Sequence, residues 1–272
     1  MAAPPVLRTV VGDGSSSDAP EARGQSPRTL AIDVGGTDLK AAVLDPAGVM
    51  IAPRVHVPTP HPAAPETVLR AIASLVAPLA PYDRVSVGFP GVVRQGRIFT
   101  APNLGSEPWQ GFDLAEALAT ALGKAVRILN DADVQGLGVV SGQGFECVLT
   151  LGTGIGSALF FNGRLLPHLE LGQHPIRRKR TYDQYLGDAA LKKKGRAKWN
   201  RRLRKAIGIL RTLLNYDTLY LGGGNALQID FALPENVKLV SNEAGITGGV
   251  RLWESDLDEH FVESGRSSAT GP

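Results

Sequence analysis

Cysteine is almost absent from this chain of 272 residues, and its scarcity excludes two kinds of architecture. The single cysteine, Cys147, cannot form an internal disulfide framework, and one thiol cannot build a cysteine-rich zinc site. We therefore expect no zinc and a reducing, cytoplasmic location. Long apolar runs are also missing, because no stretch approaches the ~18 residues needed to span a bilayer. With 43% hydrophobic and 20% charged residues, the composition predicts a globular protein with a full core and no membrane association.

The most informative feature that is present is a pair of glycine turns flanked by apolar strands. In the run 30–44 an apolar segment ends in Asp33, turns on glycines and leaves as a second strand, and the run 148–160 repeats this plan. Glycine lets backbone N–H groups approach an anion closely. An ordinary hairpin is the alternative, since Gly-Gly is common there. Two such turns far apart in sequence predict two half-domains facing one phosphate. The turns comprise Gly35, Gly36, Thr37, Gly152, Thr153 and Gly154.

A third glycine cluster follows the apolar segment 219–221. We expect it to end a strand, open a helix and close over whatever carries the phosphate. None of the three clusters has the spacing of a P-loop or the βαβ context of a dinucleotide-binding fingerprint. The cluster consists of Gly222, Gly223 and Gly224.

Polar side chains also follow a short apolar segment at 125–129. Asn130 and Asp131 come at the carboxyl end of this predicted strand, where open α/β sheets hold their ligands. An acid in this position is often only a helix N-cap, so a structural role is the alternative. Three further residues carry groups suited to polyol hydroxyls, namely Asn103, Glu170 and His174.

Basic residues are concentrated between residues 177 and 205. This tract holds thirteen Lys and Arg and two acids, a net +11, so the rest of the +3 chain carries −8. Within a predicted helix at 196–215, apolar residues form one stripe and cations fall on the opposite side. A polyanion would neutralise such a face; a plain solvated helix and a nucleic-acid surface are the alternatives. The apolar stripe is Trp199, Leu203, Ile207, Leu210 and Leu214, and the basic face is Lys198, Arg201, Arg202 and Lys205.

Together these motifs resemble the ROK family (repressors, open reading frames and sugar kinases) of the actin-like ATPase and hexokinase superfamily. Within the family, the tract 198–225 is most similar to the kinases that use polyphosphate to phosphorylate glucose. The matching stretches run in order along the chain at 32–40, 88–91, 102–104, 129–133, 151–156, 170–172, 198–202, 214–216, 221–225 and 242–245.

The resemblance implies an α/β fold, the two-lobed actin-like ATPase (ribonuclease H-like) fold with a cleft between the lobes. It also implies a homodimer, since ROK kinases are commonly dimers. We expect a disordered leader at 1–28, a small α/β lobe at 29–129, a large α/β lobe at 130–245, a helix at 246–257 that returns to the small lobe, and a disordered tail at 258–272.

The resemblance further implies phosphoryl transfer from polyphosphate, and possibly ATP, to the 6-OH of glucose. Asp131 would be the catalytic base with a carboxylate near its ordinary pKa, and Asp33 would position Mg²⁺. The implied sugar ligands are Asn103, Asn130, Asp131, Glu170 and His174. The implied phosphate-binding residues are Asp33, Gly35, Gly36, Thr37, Lys40, Gly152, Thr153, Gly154, Gly222, Gly223 and Gly224. The implied polyphosphate-binding residues are Lys198, Arg201, Arg202 and Lys205.

One position departs from the family pattern. ROK kinases usually carry Glu-x-Gly-His, whereas this chain has Gln173 in the fourth place, followed by His174. Glutamine can hydrogen-bond a hydroxyl but carries no charge. The departure therefore bears on sugar affinity and specificity, including acceptance of mannose, more than on catalysis.

Three rival functions share parts of this pattern. An ATP-dependent hexose kinase would use the basic helix only for solubility or oligomer contacts. A sugar-sensing regulator would carry an N-terminal DNA-binding helix pair, for which residues 1–28 are too rich in Pro and Gly. A nucleic-acid-binding protein would act through 177–205 with strong salt dependence. We expect a sugar kinase with no nucleic-acid partner.

Overall fold

A computed structural model describes residues 26–241 and 243–261. The strands are β1 (Thr29–Val34), β2 (Asp38–Leu44), β3 (Val55–Pro58), β4 (Arg84–Phe89), β5 (Val93–Arg94), β6 (Arg97–Ile98), β7 (Ala125–Asn130), β8 (Phe145–Leu151), β9 (Ile155–Phe161), β10 (Arg164–Leu165), β11 (Pro175–Arg177), β12 (Arg180–Thr181), β13 (Thr218–Gly222) and β14 (Val237–Leu239). The helices are α1 (Pro65–Val76), α2 (Ser106–Trp109), α3 (Leu114–Leu122), α4 (Asp131–Leu137), α5 (Tyr182–Leu186), α6 (Asp188–Lys194), α7 (Arg196–Leu214) and α8 (Ala244–Thr247). Turns of 3₁₀ helix span Leu171–Gln173, Gly224–Gln228, Gly248–Trp253 and Ser255–His260.

Two five-stranded sheets repeat one plan. The first has the order β3-β2-β1-β4-β7, with an antiparallel β1–β2 hairpin and parallel β4 and β7 beside β1. The second has the order β10-β9-β8-β13-β14, with an antiparallel β8–β9 hairpin and parallel β13 and β14 beyond β8. Each sheet therefore opens with one of the two glycine hairpins predicted from the sequence.

The short helix α4 packs between the two sheets and joins their cores. On one side, a Cβ added at Gly88 of β4 would lie 3.3 Å from the Cα of Asp131. On the other side, a Cβ at Gly136 would collide with the ring of Phe160 on β9. Close packing of α4 against both sheets holds its first residue, Asp131, at the junction of the two halves.

The helix α7 buries the apolar stripe that the sequence predicts. Trp199, Leu203 and Leu210 are fully buried, and the indole N–H of Trp199 donates to the Leu186 carbonyl at 2.6 Å. Burial of this stripe against the second sheet fixes α7 beside α5 and α6.

The last described segment returns to the first sheet, and the helix expected at 246–257 is divided among α8 and two 3₁₀ helices. Ser86 Oγ donates to the Gly249 carbonyl at 2.6 Å, and Trp253 Nε1 donates to Ser86 Oγ at 2.9 Å. Asp258 accepts from Arg127 Nη2 at 2.7 Å, and the 3₁₀ helix Ser255–His260 includes the first residues of the segment expected as a tail at 258–272. The expected leader and tail otherwise lie outside the described residues. In the part of the chain that the structure describes, no helix is long and apolar enough to cross a membrane.

Candidate active site

The two glycine hairpins meet across the gap between the sheets. Thr37 Oγ1 of the β1–β2 turn lies 3.3 Å from Thr153 Oγ1 of the β8–β9 turn. Glycine is needed for this tight geometry, since a Cβ at Gly35 would lie 2.8 Å from the Asp38 carbonyl oxygen. Two turns with exposed hydroxyls thus face the same space, as a bound phosphate requires.

A cavity of about 460 Å³, here called the central cavity, opens at this junction. It collects most of the site residues that the sequence predicts, from both halves of the chain. Its lining includes Asp33, Gly35, Gly36, Thr37, Lys40, Asn103, Asn130, Asp131, Gly152, Thr153, Gly154, Glu170, Gly223 and Gly224. Of the residues predicted for sugar and phosphate, Gly222 and His174 are not part of this lining.

Asp131 is the first residue of α4, and its neighbour supplies the helix cap. Asn130 Oδ1 accepts from the Ala132 N–H at 2.8 Å, so Asn130 and not Asp131 is the N-cap. Asp131 Oδ1 also accepts from that N–H at 2.8 Å. The role of Asp131 is therefore not that of the helix cap.

Burial raises the pKa of Asp131 to about 7, and the negative charge of Asp33 adds to the rise. The hydrogen bond from the Ala132 N–H and the charge of His168 act in the opposite direction. The expectation of an ordinary carboxylate pKa is wrong, because packing between the sheets leaves the side chain only partly exposed. A carboxyl group whose pKa lies near neutrality can both accept and release a proton under ordinary conditions.

Asp33 and Lys40 face each other across the β1–β2 hairpin. Lys40 Nζ donates to Asp33 Oδ2 at 3.0 Å, as their register in the hairpin dictates. Both line the central cavity, so the ion pair lies beside the phosphate turns. Mg²⁺ in phosphoryl-transfer sites is held by one or two carboxylates together with substrate phosphates and water. Asp33 fits that requirement, and in the described ranges no three His, Cys, Asp or Glu side chains are grouped to cage a metal by themselves.

The predicted sugar ligands differ in how many hydrogen bonds their side chains already form within the protein. Glu170 Oε2 accepts from Thr100 Oγ1 at 3.3 Å, and burial raises the pKa of this carboxyl. Asn130 is buried, and its amide donates to the Phe89 and Gly91 carbonyls at 3.4 and 3.1 Å. The amide of Asn130 is thus already engaged in shaping the cavity wall.

His174 lies away from this group. Its side chain is exposed, and its ring lies 6.4 Å from that of Tyr182. The preceding Gln173 instead reaches toward the cavity, where its amide donates to Asp183 Oδ2 at 2.8 Å. Asp183 also accepts from the Ile155 N–H at 2.7 Å and lines the central cavity.

The third glycine turn is tied to the second hairpin. Gly223 has φ = +84° and packs against the backbone of Leu151, where a Cβ at 223 would lie 2.6 Å from the Leu151 carbonyl carbon. Asn225 Nδ2 donates to the Gly152 carbonyl at 3.1 Å. Gly222 belongs to β13, and a short 3₁₀ helix follows where a helix was expected.

A second cavity of about 460 Å³, here called the basic pocket, lies on the other side of α5. Cations from the β11–β12 hairpin, the end of α6 and the start of α7 converge there, and Lys198 and other nearby cations lower the pKa of Lys194. The pocket is lined by Arg177, Arg178, Arg180, Tyr185, Lys194, Lys198, Arg201 and Arg202.

The expected basic face of α7 is only partly correct. Lys198 and Arg201 are exposed and line the basic pocket, whereas Lys205 is exposed but is not part of its lining. Arg202 is buried, because its guanidinium stacks 4.5 Å over the ring of Tyr185 and donates to the Tyr185 carbonyl at 2.9 Å. Arg202 therefore forms the wall of the pocket and does not belong to a solvated helix face.

Sequence reasoning missed several residues of the site. Asp183 and Asp188 are the two acids in the basic tract, and both line the central cavity. The presence of only two acids among thirteen cations is a sequence signal that could have marked them as site residues. Asp133 and His168 were also missed; they form a buried pair with Nδ1 3.2 Å from Oδ2.

Comparison with known proteins finds relatives that match most of the chain. The chain is 32% identical over 243 residues to the polyphosphate glucokinase of Mycobacterium tuberculosis (strain CDC 1551 / Oshkosh), covering 83% of this chain and 91% of the relative. It is 31% identical over 250 residues to the polyphosphate glucokinase of Mycobacterium leprae (strain TN), covering 85% and 76%.

Among solved structures, the inorganic polyphosphate/ATP-glucomannokinase of Arthrobacter sp. strain KM superposes with a TM-score of 0.76. It is 32% identical and covers 83% of this chain and 97% of that one. The likeness confirms the predicted two-lobed fold. The model of the ROK family matches residues 29–170, and with these relatives it establishes that the chain belongs to the ROK family.

Proposed function

We propose that this protein is a polyphosphate glucokinase that transfers the terminal phosphoryl group of inorganic polyphosphate, and also of ATP, to the 6-OH of glucose. The observation that carries the proposal is the meeting of both glycine hairpins at one cavity that also holds Asp131. The two mycobacterial relatives named polyphosphate glucokinase support the same activity.

In this proposal Asp131 accepts the proton of the attacking 6-OH. Its raised pKa of about 7 suits a general base at neutral pH. Asn103 and Glu170 orient the sugar hydroxyls, while Asn130 shapes the wall behind them. Phosphoryl transfer depends mainly on such positioning and on neutralising charge.

The transferring phosphate is proposed to lie between the two hairpin turns. Backbone N–H groups and the hydroxyls of Thr37 and Thr153 would contact its oxygens, and Lys40 adds positive charge. Asp33 would hold Mg²⁺ through water or directly, and the ion would neutralise the phosphate oxygens when bound. Gly223 and Gly224 border the space for the following phosphates or a nucleotide.

The basic pocket supports polyphosphate as donor. A linear chain of phosphates that leaves the central cavity needs a positively charged surface. The seven cations that line the basic pocket provide such a surface. Lys198 and Arg201 are proposed to contact the chain directly, whereas Arg202 holds the pocket wall. Lys205 lies on the same helix outside the pocket lining, so its contribution is proposed to be long-range charge.

A donor comparison tests this function. Purified protein with glucose and Mg²⁺ is supplied in turn with long-chain polyphosphate and with ATP, and glucose 6-phosphate is measured by its oxidation in a coupled assay. We expect a higher kcat/KM with polyphosphate. Turnover with ATP alone would establish the rival ATP-dependent kinase, and no turnover with either donor would reject a kinase.

The same preparation tests the remaining proposals. A mannose arm is included because the Arthrobacter relative is named a glucomannokinase. Loss of activity in EDTA, with recovery on adding Mg²⁺, would support the metal. Light scattering would test the proposed homodimer, and cell fractionation would test the proposed cytoplasmic location.

A further inference from the structure

Behind the central cavity, a buried imidazole lies between two carboxylates. His168 Nδ1 lies 3.2 and 3.3 Å from the two oxygens of Asp133, and His168 Nε2 lies 3.9 Å from Glu170 Oε2. The side chain of His168 is 10% exposed and that of Asp133 is 4% exposed. A carboxylate accepts, so Nδ1 donates to Asp133 and Nε2 is directed toward Glu170.

The nitrogen that faces Glu170 is unpaired. Nε2 of His168 is buried and has no hydrogen-bond partner among the described residues. A buried polar atom without a partner costs free energy, so a fold that retains one needs a reason. The 3.9 Å gap is about 1 Å longer than a hydrogen bond, and a small movement of Glu170 on contact with a ligand would close it.

The contacts from Asp133 through His168 to Glu170 connect the two elements that hold the proposed reacting groups. Asp133 lies on α4, two residues after Asp131, whereas His168 and Glu170 lie in the loop after β10. Thr100 Oγ1 and His168 Nε2 both face Oε2 of Glu170, which leaves its other oxygen for the cavity. Contacts to Oε2 alone thus orient the Glu170 carboxylate.

Charge favours an imidazolium at this position. Burial alone would lower the pKa of His168, but the hydrogen bond and charge of Asp133, then the charges of Glu170 and Asp131, raise it. Among the described residues these three acids are the main charges that act on the ring, and His260 acts on Asp133 from the last described 3₁₀ helix.

We propose that His168, held by Asp133, is a positioning residue that aims Glu170 at the sugar hydroxyls and couples it to the helix carrying Asp131. The inference rests on the proposed sugar kinase function. It assigns a role to a histidine to which the sequence analysis gave none.

The test compares His168→Gln and His168→Ala with the matched control His174→Gln. With polyphosphate saturating, we expect both His168 variants to raise the KM for glucose about tenfold or more, the effect of losing one hydrogen bond to a charged group. We expect kcat to change less than threefold, the KM for polyphosphate to stay constant, and Gln to recover part of the loss seen with Ala. His174→Gln is expected to match the wild type.

Two readouts separate positioning from mere packing. Calorimetric glucose binding without donor should weaken by the same factor as KM rises. The acidic limb of the kcat/KM profile against pH should also move to higher pH in His168→Gln, since the His168 charge lowers the pKa values of Asp131 and Glu170. Asp133→Asn, which keeps the shape and removes the charge, should weaken glucose binding in the same direction.

A folded His168→Gln protein with wild-type glucose affinity and an unmoved acidic limb would overturn the proposal. So would equal losses in His168→Gln and His174→Gln. Failure of the proposed function is distinguishable, because it would leave the wild-type protein itself without glucose 6-phosphate formation from either donor.

Discussion

The central cavity and the basic pocket have similar volumes and opposite charge. Acids outnumber cations in the central cavity, where Lys40 and Arg54 face six carboxylates, whereas the basic pocket has seven cations and no acid among its described lining residues. Helix α5 separates them: Asp183 lines the first and Tyr185, two residues on, lines the second.

The opposite charges of the two cavities suit two different tasks of a phosphotransferase. Carboxylates are needed where a hydroxyl must lose a proton and a metal must be held, and they repel a polyanion. A surface that carries only positive charges binds a polyanion but has no group that could accept the proton of the hydroxyl. If the division is correct, changes in the central cavity should affect turnover with every donor, and changes in the basic pocket should affect one donor only.

The largest expected effect is that of removing the base. Asp131→Ala should lower kcat by 10²–10⁴-fold with both polyphosphate and ATP, because a positioned general base contributes about that much. Steady-state kinetics with each donor, and glucose binding by calorimetry, provide the measurement. Turnover within tenfold of wild type would remove Asp131 from this role.

The pH dependence should follow from the same residue. Asp131 must be ionised to accept a proton, and its pKa is raised to about 7. The value of kcat/KM should therefore fall about tenfold per pH unit as the pH decreases below 7. A profile measured from pH 5 to 9 checks this expectation, and a flat profile down to pH 5 would contradict a base with a raised pKa.

Charge reversal in the basic pocket should affect polyphosphate and leave ATP unaffected. Arg201→Glu should raise the KM for long-chain polyphosphate about tenfold or more, through loss of one charge-assisted contact and gain of a repulsion, and leave the KM for ATP unchanged. Lys205→Glu is the matched control, since it makes the same change of charge on α7 outside the pocket lining.

Two results would argue against that assignment. Equal effects of Arg201→Glu and Lys205→Glu would mean that only net charge matters. A parallel rise of KM for ATP in Arg201→Glu would mean that the two cavities act as one site.

The smallest expected effect concerns the residue that replaces the family histidine. Gln173→Ala removes the hydrogen bond to Asp183 and should raise the KM for glucose about threefold, since this bond is partly exposed to water. Kinetics with glucose and mannose provide the check. A change confined to polyphosphate would place Gln173 with the basic pocket instead.

Much of this site is readable from the sequence because the signals are local. An apolar strand, a Gly-Thr turn and a second strand specify each hairpin, and the apolar stripe of α7 specifies its buried side. The Asn130-Asp131 pair follows from its place at a strand end. Each of these patterns lies within one continuous segment of the chain.

The errors arose where contacts between distant elements decide the outcome. Arg202 lies about 100° from the centre of the apolar stripe of α7, so helix geometry alone places it at the edge of that face. Tyr185 of α5 supplies the ring and carbonyl that bury it. The sequence analysis gave His168 no role, yet Asp133, 35 residues away in sequence, holds His168 beside Glu170.

A structure of the protein with glucose and a non-hydrolysable phosphate donor would show directly where the two reacting groups lie. We expect the transferable phosphoryl group to lie between the turns at 35–37 and 152–154, with the sugar 6-OH within hydrogen-bond distance of Asp131. A phosphoryl group held by only one of the two turns, or a sugar oriented away from Asp131, would contradict this expectation.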